Sequence, residues 1–275
     1  MKRDFARLNL GGRSLDLEYG WTGAAASDAP VMVFLHEGLG SIAMWRNFPA
    51  QLCDRLGVRG LVYSRFAYGR STARSRLENF PRHYLHREAN EVLPALLDAL
   101  GVAHPYLFGH SDGGSIALLA AAHEPSRYSG IVVMAPHISV EEICIENIQI
   151  ARVAYHEKGL RERLARYHDD VDSAFHGWND IWLDPAFRDW NIEAEIEAIR
   201  CPVLAIQGEG DEYATLEQIR GIKRRVPQTT LLILPDCRHS PHRDQPEALM
   251  CGVKAFFEAH PGRRSEFQST SVFAC

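Results

Sequence analysis

The sequence predicts an α/β fold, with a mostly parallel central sheet, helices on both faces and an inserted helical segment. Two observations predict it. Short apolar runs alternate with longer helical patterns from about residue 31 onward, a rhythm of βαβ units covered on both faces. Between about His137 and Arg200 the rhythm breaks, only helical patterns occur, and it then resumes.

The elements follow in order. "VMVFLHEGLG" begins as a buried strand, Val31 to Leu35, and breaks into a Gly-rich loop. "GVRGLVYSR" gives a second strand around Gly60 to Tyr63. "REANEVLPALLDALG" reads as an amphipathic helix stopped by Gly101, with Pro94 weakening its middle. "HPYLFG" is a short strand, "SIALLAAAHE" is helical by composition, and "GIVVMAP" is the next strand. Helical patterns then run through "EEICIENIQIARVAYHEKGLRERLARYHDD" and "PAFRDWNIEAEIEAI". The strand "CPVLAIQGEGD", a helix near Thr215 to Arg225, the strand "TTLLILPD" and a final helix through "PEALMCGVKAFFEAH" complete the pattern. The closing residues, "RRSEFQSTSVFAC", read as a loose tail. Residues 1–136 and 199–275 are therefore expected to form one core, with 137–198 a helical cap inserted between two strands of its sheet.

Composition narrows the function classes. The net charge of −5 is modest and the basic residues are scattered, so no nucleic-acid partner is expected. "MKRDFARLNL" lacks the apolar centre of a signal peptide, and no apolar run approaches membrane-spanning length. The six cysteines show no CxxC pairing, which suits reduced, mostly buried thiols in a cytoplasmic protein. The thirteen histidines never fall into HExxH spacing, and neither a metal nor another cofactor is expected. A homo-oligomer is compatible with the sequence, which does not fix the state.

"FGHSDGGSIALLAA" carries the chemistry. Gly109-His110-Ser111-Asp112-Gly113 is a G-x-S-x-G between a predicted strand and a predicted helix. A sharp turn there lifts a serine to the top of a sheet, and small neighbours prevent clashes. The other reading is a helix N-cap serine followed by a Gly-rich turn. Side chains diverge on so tight a turn, so His110 and Asp112 cannot easily point where Ser111 points. His110 suits packing or loop hydrogen bonding. The Asp112 carboxylate suits the helix dipole.

Taken together, "FLHEGLGS", "SRFAYGRS", "GHSDGG", "GEGDEYA" and "CRHSPHRDQPE" stand in the order of an α/β-hydrolase-fold enzyme with a helical cap, which the chain resembles from about residue 10 to residue 260. The resemblance implies a nucleophile, acid and base in that chain order, with Ser111 as nucleophile. The base follows the last strand. "H-S-P-H-x-D-x-P-E" matches the family pattern in which the first histidine is catalytic, so the resemblance points to His239, with His242 at the start of the final helix. The acid follows the preceding strand, and Asp211 falls three residues after Gly208, as in the family's G-x-x-D. Asp236 competes but lies on the histidine loop itself. Oxyanion donors are implied at the Asp112 N–H and, in the "HEGLGS" loop, at the Gly38 N–H, with Leu39 next in line as a substrate contact. Glu37 departs from the family's H-G pattern, either as a surface carboxylate or as a group meeting a polar part of the substrate. Arg65 and Arg70 suit loop bracing. Of Phe175, Trp178, Trp182, Phe187 and Trp190, most are expected in packing and one or two along an apolar pocket, Trp182 among them.

The expected function is a cofactor-independent serine hydrolase acting on carboxylic esters or lactones of small, partly apolar molecules. A C–C bond hydrolase or an amidase would keep the same triad. An aminopeptidase would also keep it, and would use Glu141, Glu142 and Glu146 for a substrate's amino terminus. A ligand-binding module without catalysis is the reading from a different class. An Asp nucleophile of dehalogenase type is disfavoured by the serine at position 111.

Overall fold

The structure, a computed structural model, describes residues 1–75 and 77–262. The tail from Arg263 and the sixth cysteine, Cys275, lie outside the described residues. One eight-stranded sheet runs in the order β1-β2-β4-β3-β5-β6-β7-β8. Strands β3 (Val31–Leu35), β4 (Arg59–Tyr63), β5 (Tyr106–His110), β6 (Gly130–Met134), β7 (Val203–Gly208) and β8 (Thr229–Leu234) are all parallel to their neighbours among these six. Side chains alternate between the two faces of each strand. Met32 and Phe34, with Phe108 and Ile206, meet helices α1 (Phe48–Leu56) and α10 (Pro246–Ala259) on one face. Val33 and Leu35, with Leu107 and Ala205, meet α3 (Leu93–Ala99), α4 (Asp112–His123) and α8 (Glu217–Arg225) on the other. A sheet covered on both faces has no wet side, which is why its central strands read as continuous apolar runs.

Three features differ from the sequence expectation. No element is predicted before Val31, yet β1 (Arg3–Leu10) and β2 (Arg13–Gly23) form an antiparallel hairpin at the sheet edge. Its Gly11–Gly12 turn has both residues at positive φ, +57° and +79°, the backbone that a two-residue hairpin needs. The helix predicted from Arg87 starts earlier, with α2 (Tyr84–Arg87), and slips into a π-helical segment over Glu88–Val92 before α3. Pro94 has no N–H for the carbonyl four residues back, and the widened segment accommodates it. A short helix, α9 (Pro241–Asp244), is not predicted; it precedes α10, which spans the predicted final helix.

Between β6 and β7 the chain forms α5 (Glu142–Glu157), α6 (Leu160–Leu164) and α7 (Val171–Trp182). Asp170 caps α7 by accepting from the Ser173 N–H at 2.8 Å. Phe175, Trp178, Trp182, Phe187 and Trp190 are all buried, as packing against the core demands. Cys53, Cys144, Cys201 and Cys237 are free and buried, and Cys251 is free and exposed. No helix among the described residues is long and apolar enough to cross a membrane.

Candidate active site

Four loops leave the carboxyl ends of β3, β5, β7 and β8, and each carries a residue singled out from the sequence. Ser111 follows β5 directly, at φ +53° and ψ −119°, in a region that non-glycine residues rarely occupy. Its carbonyl accepts from the Gly114 and Ser115 N–H groups, but its side chain makes no capping hydrogen bond. The N-cap reading therefore fails, and the hydroxyl is left for other work. The flanking glycines are sterically required. A Cβ on Gly109 would lie 2.1 Å from the Gly113 carbonyl oxygen, and one on Gly113 would lie 2.1 Å from that of Leu35. Because both clashes are with backbone, Gly113→Ala is expected to destabilise the fold by about 3 kcal/mol or more. A urea midpoint close to wild type would contradict this packing.

The acid and base candidates meet across two loops. A Cβ on Gly208 would sit 2.2 Å from the Cys237 carbonyl oxygen, so glycine there lets the β7 loop close on the β8 loop. His239 Nδ1 lies 2.8 Å from Asp211 Oδ1. A carboxylate only accepts, so the proton sits on Nδ1 and Nε2 is left as the basic nitrogen. Asp211 also accepts from the Tyr213 N–H at 2.9 Å and from Gln207 Nε2 at 3.2 Å. Burial pushes its carboxyl up, but the His239 hydrogen bond and charge outweigh this and hold it below the ordinary value. Burial pulls the His239 imidazole down, yet Asp211, Glu212 and Glu37 keep it above the ordinary histidine value. The competing Asp236 is exposed.

His110 anchors this arrangement from the residue beside Ser111. Its Nε2 donates to the His239 carbonyl at 2.7 Å, which ties the histidine loop to the elbow. Glu37 is not the surface carboxylate considered from sequence. Its side chain is 19% exposed, and Oε2 lies 3.6 Å from His110 Nδ1. Burial pushes the Glu37 carboxyl up, but His110, His36 and His242 reverse this and hold it well below the carboxylate range. His242 packs on Trp45, Phe48 and His110 and is held down to about 3 by burial and then by His110.

Asp112 departs from a simple dipole role. Its carboxylate is buried, accepting from Tyr84 Oη at 2.8 Å and facing Arg65 Nη2 at 3.5 Å. Among the described residues, neither the Asp112 nor the Gly38 N–H has an acceptor. Leu39 is partly buried, and its carbonyl accepts from His168 Nε2 at 2.9 Å. Trp182 is only 1% exposed and its indole N–H donates to Tyr84 Oη at 2.8 Å, which gives it a packing role rather than an open pocket wall.

Two further residues border these loops: Trp178, which the sequence left undistinguished among five aromatics, and His137, which it passed over. Trp178 lies against the loop that follows β3, since a Cβ on Gly38 would fall 2.2 Å from its Nε1. His137 is buried, with its ring centre 6.1 Å from His239 and 5.1 Å from Trp182, and burial followed by His239 holds it down to about 3. Neither stands in a recognisable motif, and only tertiary packing reveals them.

Residues 30–176 match the alpha/beta hydrolase fold family. The chain is 27% identical over 256 residues to a protein of Caulobacter sp. (strain K31) named for carbamate hydrolysis, RutD, covering 85% of this chain and 92% of that one. It is 23% identical over 282 residues to the sn-1-specific diacylglycerol lipase ABHD11 of Mus musculus, covering 92% and 89%. Among solved structures, a carboxylesterase of the thaumarchaeon Nitrososphaera gargenis superimposes with a TM-score of 0.73 at 20% identity, over 92% of this chain and 98% of that one, a likeness of fold. With the family match spanning more than half of its residues, this chain belongs to the α/β-hydrolase fold family.

Proposed function

We propose that the chain is a cofactor-independent serine hydrolase that cleaves carboxylic ester or lactone bonds of small, partly apolar substrates. The observation that carries this reading is the 2.8 Å Asp211–His239 hydrogen bond, tied through His110 to the strained serine elbow. Ser111 Oγ attacks the substrate carbonyl while His239 Nε2 takes its proton. Asp211 holds the tautomer and balances the imidazolium. The Gly38 and Asp112 N–H groups receive the negative oxygen of the tetrahedral intermediate. Collapse breaks the C–O bond, and the imidazolium protonates the departing alkoxide. Water then loses a proton to His239 and attacks the acyl-serine, releasing the acid and restoring the hydroxyl. The segment 137–198 acts as the cap and sets substrate size, with Trp178 over Gly38.

The aminopeptidase alternative needs acidic side chains free to meet an ammonium group. Of the three candidates, Glu141 instead accepts from both the N–H and the hydroxyl of Thr215 and Glu142 pairs with Arg188, which leaves the exposed Glu146 for that role. A panel of p-nitrophenyl esters, lactones and aminoacyl nitroanilides tests the reading. Turnover of acetate and butyrate esters, with a fluorophosphonate adduct mapped to Ser111, is the expected result. Preference for aminoacyl amides, or no adduct at Ser111, would overturn it.

A further inference from the structure

Arg65 is the feature that the proposed chemistry leaves unexplained. It is 1% exposed, and a guanidinium taken out of water carries a desolvation penalty that an apolar side chain would avoid. What it holds is specific. Its backbone N–H donates to His36 Nε2 at 3.0 Å, and His36 Nδ1 donates to the Glu37 carbonyl at 2.7 Å. Arg65 Nη2 donates to that same Glu37 carbonyl at 3.0 Å and lies 3.5 Å from Asp112 Oδ2.

The Glu37 carbonyl and the Gly38 N–H belong to one peptide unit. That unit is planar and trans, so its C=O and N–H point in opposite directions. Fixing the carbonyl fixes where the N–H aims. A charged donor on the carbonyl also polarises the unit and strengthens the N–H as a donor, most of all where water is excluded. The other proposed donor is the Asp112 N–H, whose side chain faces the same guanidinium. Both contacts fall on Nη2, whose two hydrogens lie in the fixed guanidinium plane, whereas a lysine ammonium is a rotating point donor.

We infer that Arg65 is a positioning residue of the hydrolase, gripping the Glu37–Gly38 peptide and the Asp112 carboxylate so that both oxyanion N–H groups are set and the Gly38 N–H is polarised. It touches no substrate and acts through the two backbone amides. Tyr84 Oη donates to the same Asp112 oxygen, Oδ2, and the Trp182 indole N–H holds Tyr84, so packing of residues 137–198 reaches the same pair. Glu88, buried on the π-helical segment, is a second carboxylate near the guanidinium, which opposes the effect of burial on it.

The inference rests on the serine-hydrolase reading, and the test separates the two. Wild type, Arg65→Lys and Arg65→Met are compared on p-nitrophenyl butyrate and on a trifluoromethyl ketone, which forms a tetrahedral adduct with an active serine. Removing a direct oxyanion donor costs about 100- to 1,000-fold; for an indirect support the expected loss in kcat is about 10- to 100-fold, with KM changed by less than about two-fold. Ketone affinity should fall by the same factor as kcat/KM. The Gly38 amide proton should move upfield in the NMR spectrum of both variants. A folded Arg65→Met with kcat within about three-fold of wild type, or an unmoved Gly38 resonance, overturns the inference. If Arg65→Met does not fold, Arg65→Lys decides: lower kcat at constant KM supports the grip, and unchanged kcat refutes it. Ester turnover that survives Ser111→Ala would instead sink the hydrolase reading, while the Gly38 resonance would still report whether Arg65 holds that peptide.

Discussion

Ser111→Ala is expected to lower kcat on p-nitrophenyl butyrate by about 10⁴- to 10⁶-fold while leaving the fold intact. A residual rate of about 10³- to 10⁴-fold over water should remain, because the oxyanion amides and the binding surface survive. The hydroxyl makes no capping bond, so its loss removes no structural contact that the elbow needs. The strain stays as well, since alanine at φ +53° meets the same crowding as serine. Ser111→Gly makes a useful contrast. Glycine tolerates that backbone, so this variant should be equally inactive yet more stable, by about 1 kcal/mol. A stability gain that accompanies complete loss of activity is what a residue strained for chemistry gives. His110→Ala should behave differently. It removes the bond to the His239 carbonyl and takes away the ring nitrogen that lies 3.6 Å from the Glu37 carboxylate, so stability and activity should fall together. Parallel kinetics and urea melts decide the matter. A Ser111→Ala enzyme with more than about 1% of wild-type kcat would end the nucleophile assignment.

The central strands were legible because a sheet covered on both faces demands apolar residues at every position, and such runs stand out in any window. The β1–β2 hairpin was hidden for the opposite reason. Its buried hydrophobics are Ala6, Leu8, Leu15 and Leu17, with Leu10, Tyr19 and Trp21 only partly buried against the core, while Arg7 and Asp16 pair on the wet side. The alternation around the Gly11–Gly12 turn was a usable signal, diluted by charge. The residues proposed for chemistry were legible where chemistry fixes spacing within one loop: G-x-S-x-G at the elbow, Gly208 before Asp211, and His239 before Pro241. What could not be read were groups whose meaning lies in a distant partner. Glu37 looks like a surface carboxylate until His110 comes up beside it. Arg65 looks like a loop brace until the Glu37 carbonyl and Asp112 converge on its guanidinium. Trp178 and Trp182 are equivalent in sequence, one helical turn apart on α7, yet one meets Gly38 and the other Tyr84. The difference follows from how α7 docks, a property of the whole fold.

Asp211→Asn should cost about 10⁴-fold in kcat and shift the pH profile as well. Asp211 receives three donors: His239 Nδ1 and the Tyr213 N–H at Oδ1, and Gln207 Nε2 at Oδ2. An asparagine has one oxygen to offer. If that oxygen takes the Oδ1 place, its NH₂ confronts the Gln207 amide donor. If the amide flips, its NH₂ confronts Tyr213 N–H and favours the His239 tautomer with Nδ1 unprotonated, which places the proton on Nε2 and abolishes the base. The pH behaviour follows from the same hydrogen bond. His239 acts only when neutral, and in wild type burial lowers its pKa while Asp211, Glu212 and Glu37 raise it above 6.5 on balance. The kcat/KM profile should therefore rise with pH through an inflection above 6.5 and level off. Removing the leading acidic partner leaves burial with less opposition, so the Asp211→Asn inflection should move to lower pH. Stability runs the other way over part of this range. A histidine with a raised folded value contributes stability that is complete below 6.5 and lost as pH rises through that folded value. Asp211, held below 3.8, contributes stability above 3.8 that is lost only as pH falls through its lower folded value. Between those limits the ion pair is at full strength and the base is protonated, so the fold gains most from His239 where catalysis gains least. Profiles of kcat/KM and of urea midpoint, measured for both proteins over about pH 5 to 9, would expose this opposition. An inflection unchanged by Asp211→Asn would remove Asp211 from the role.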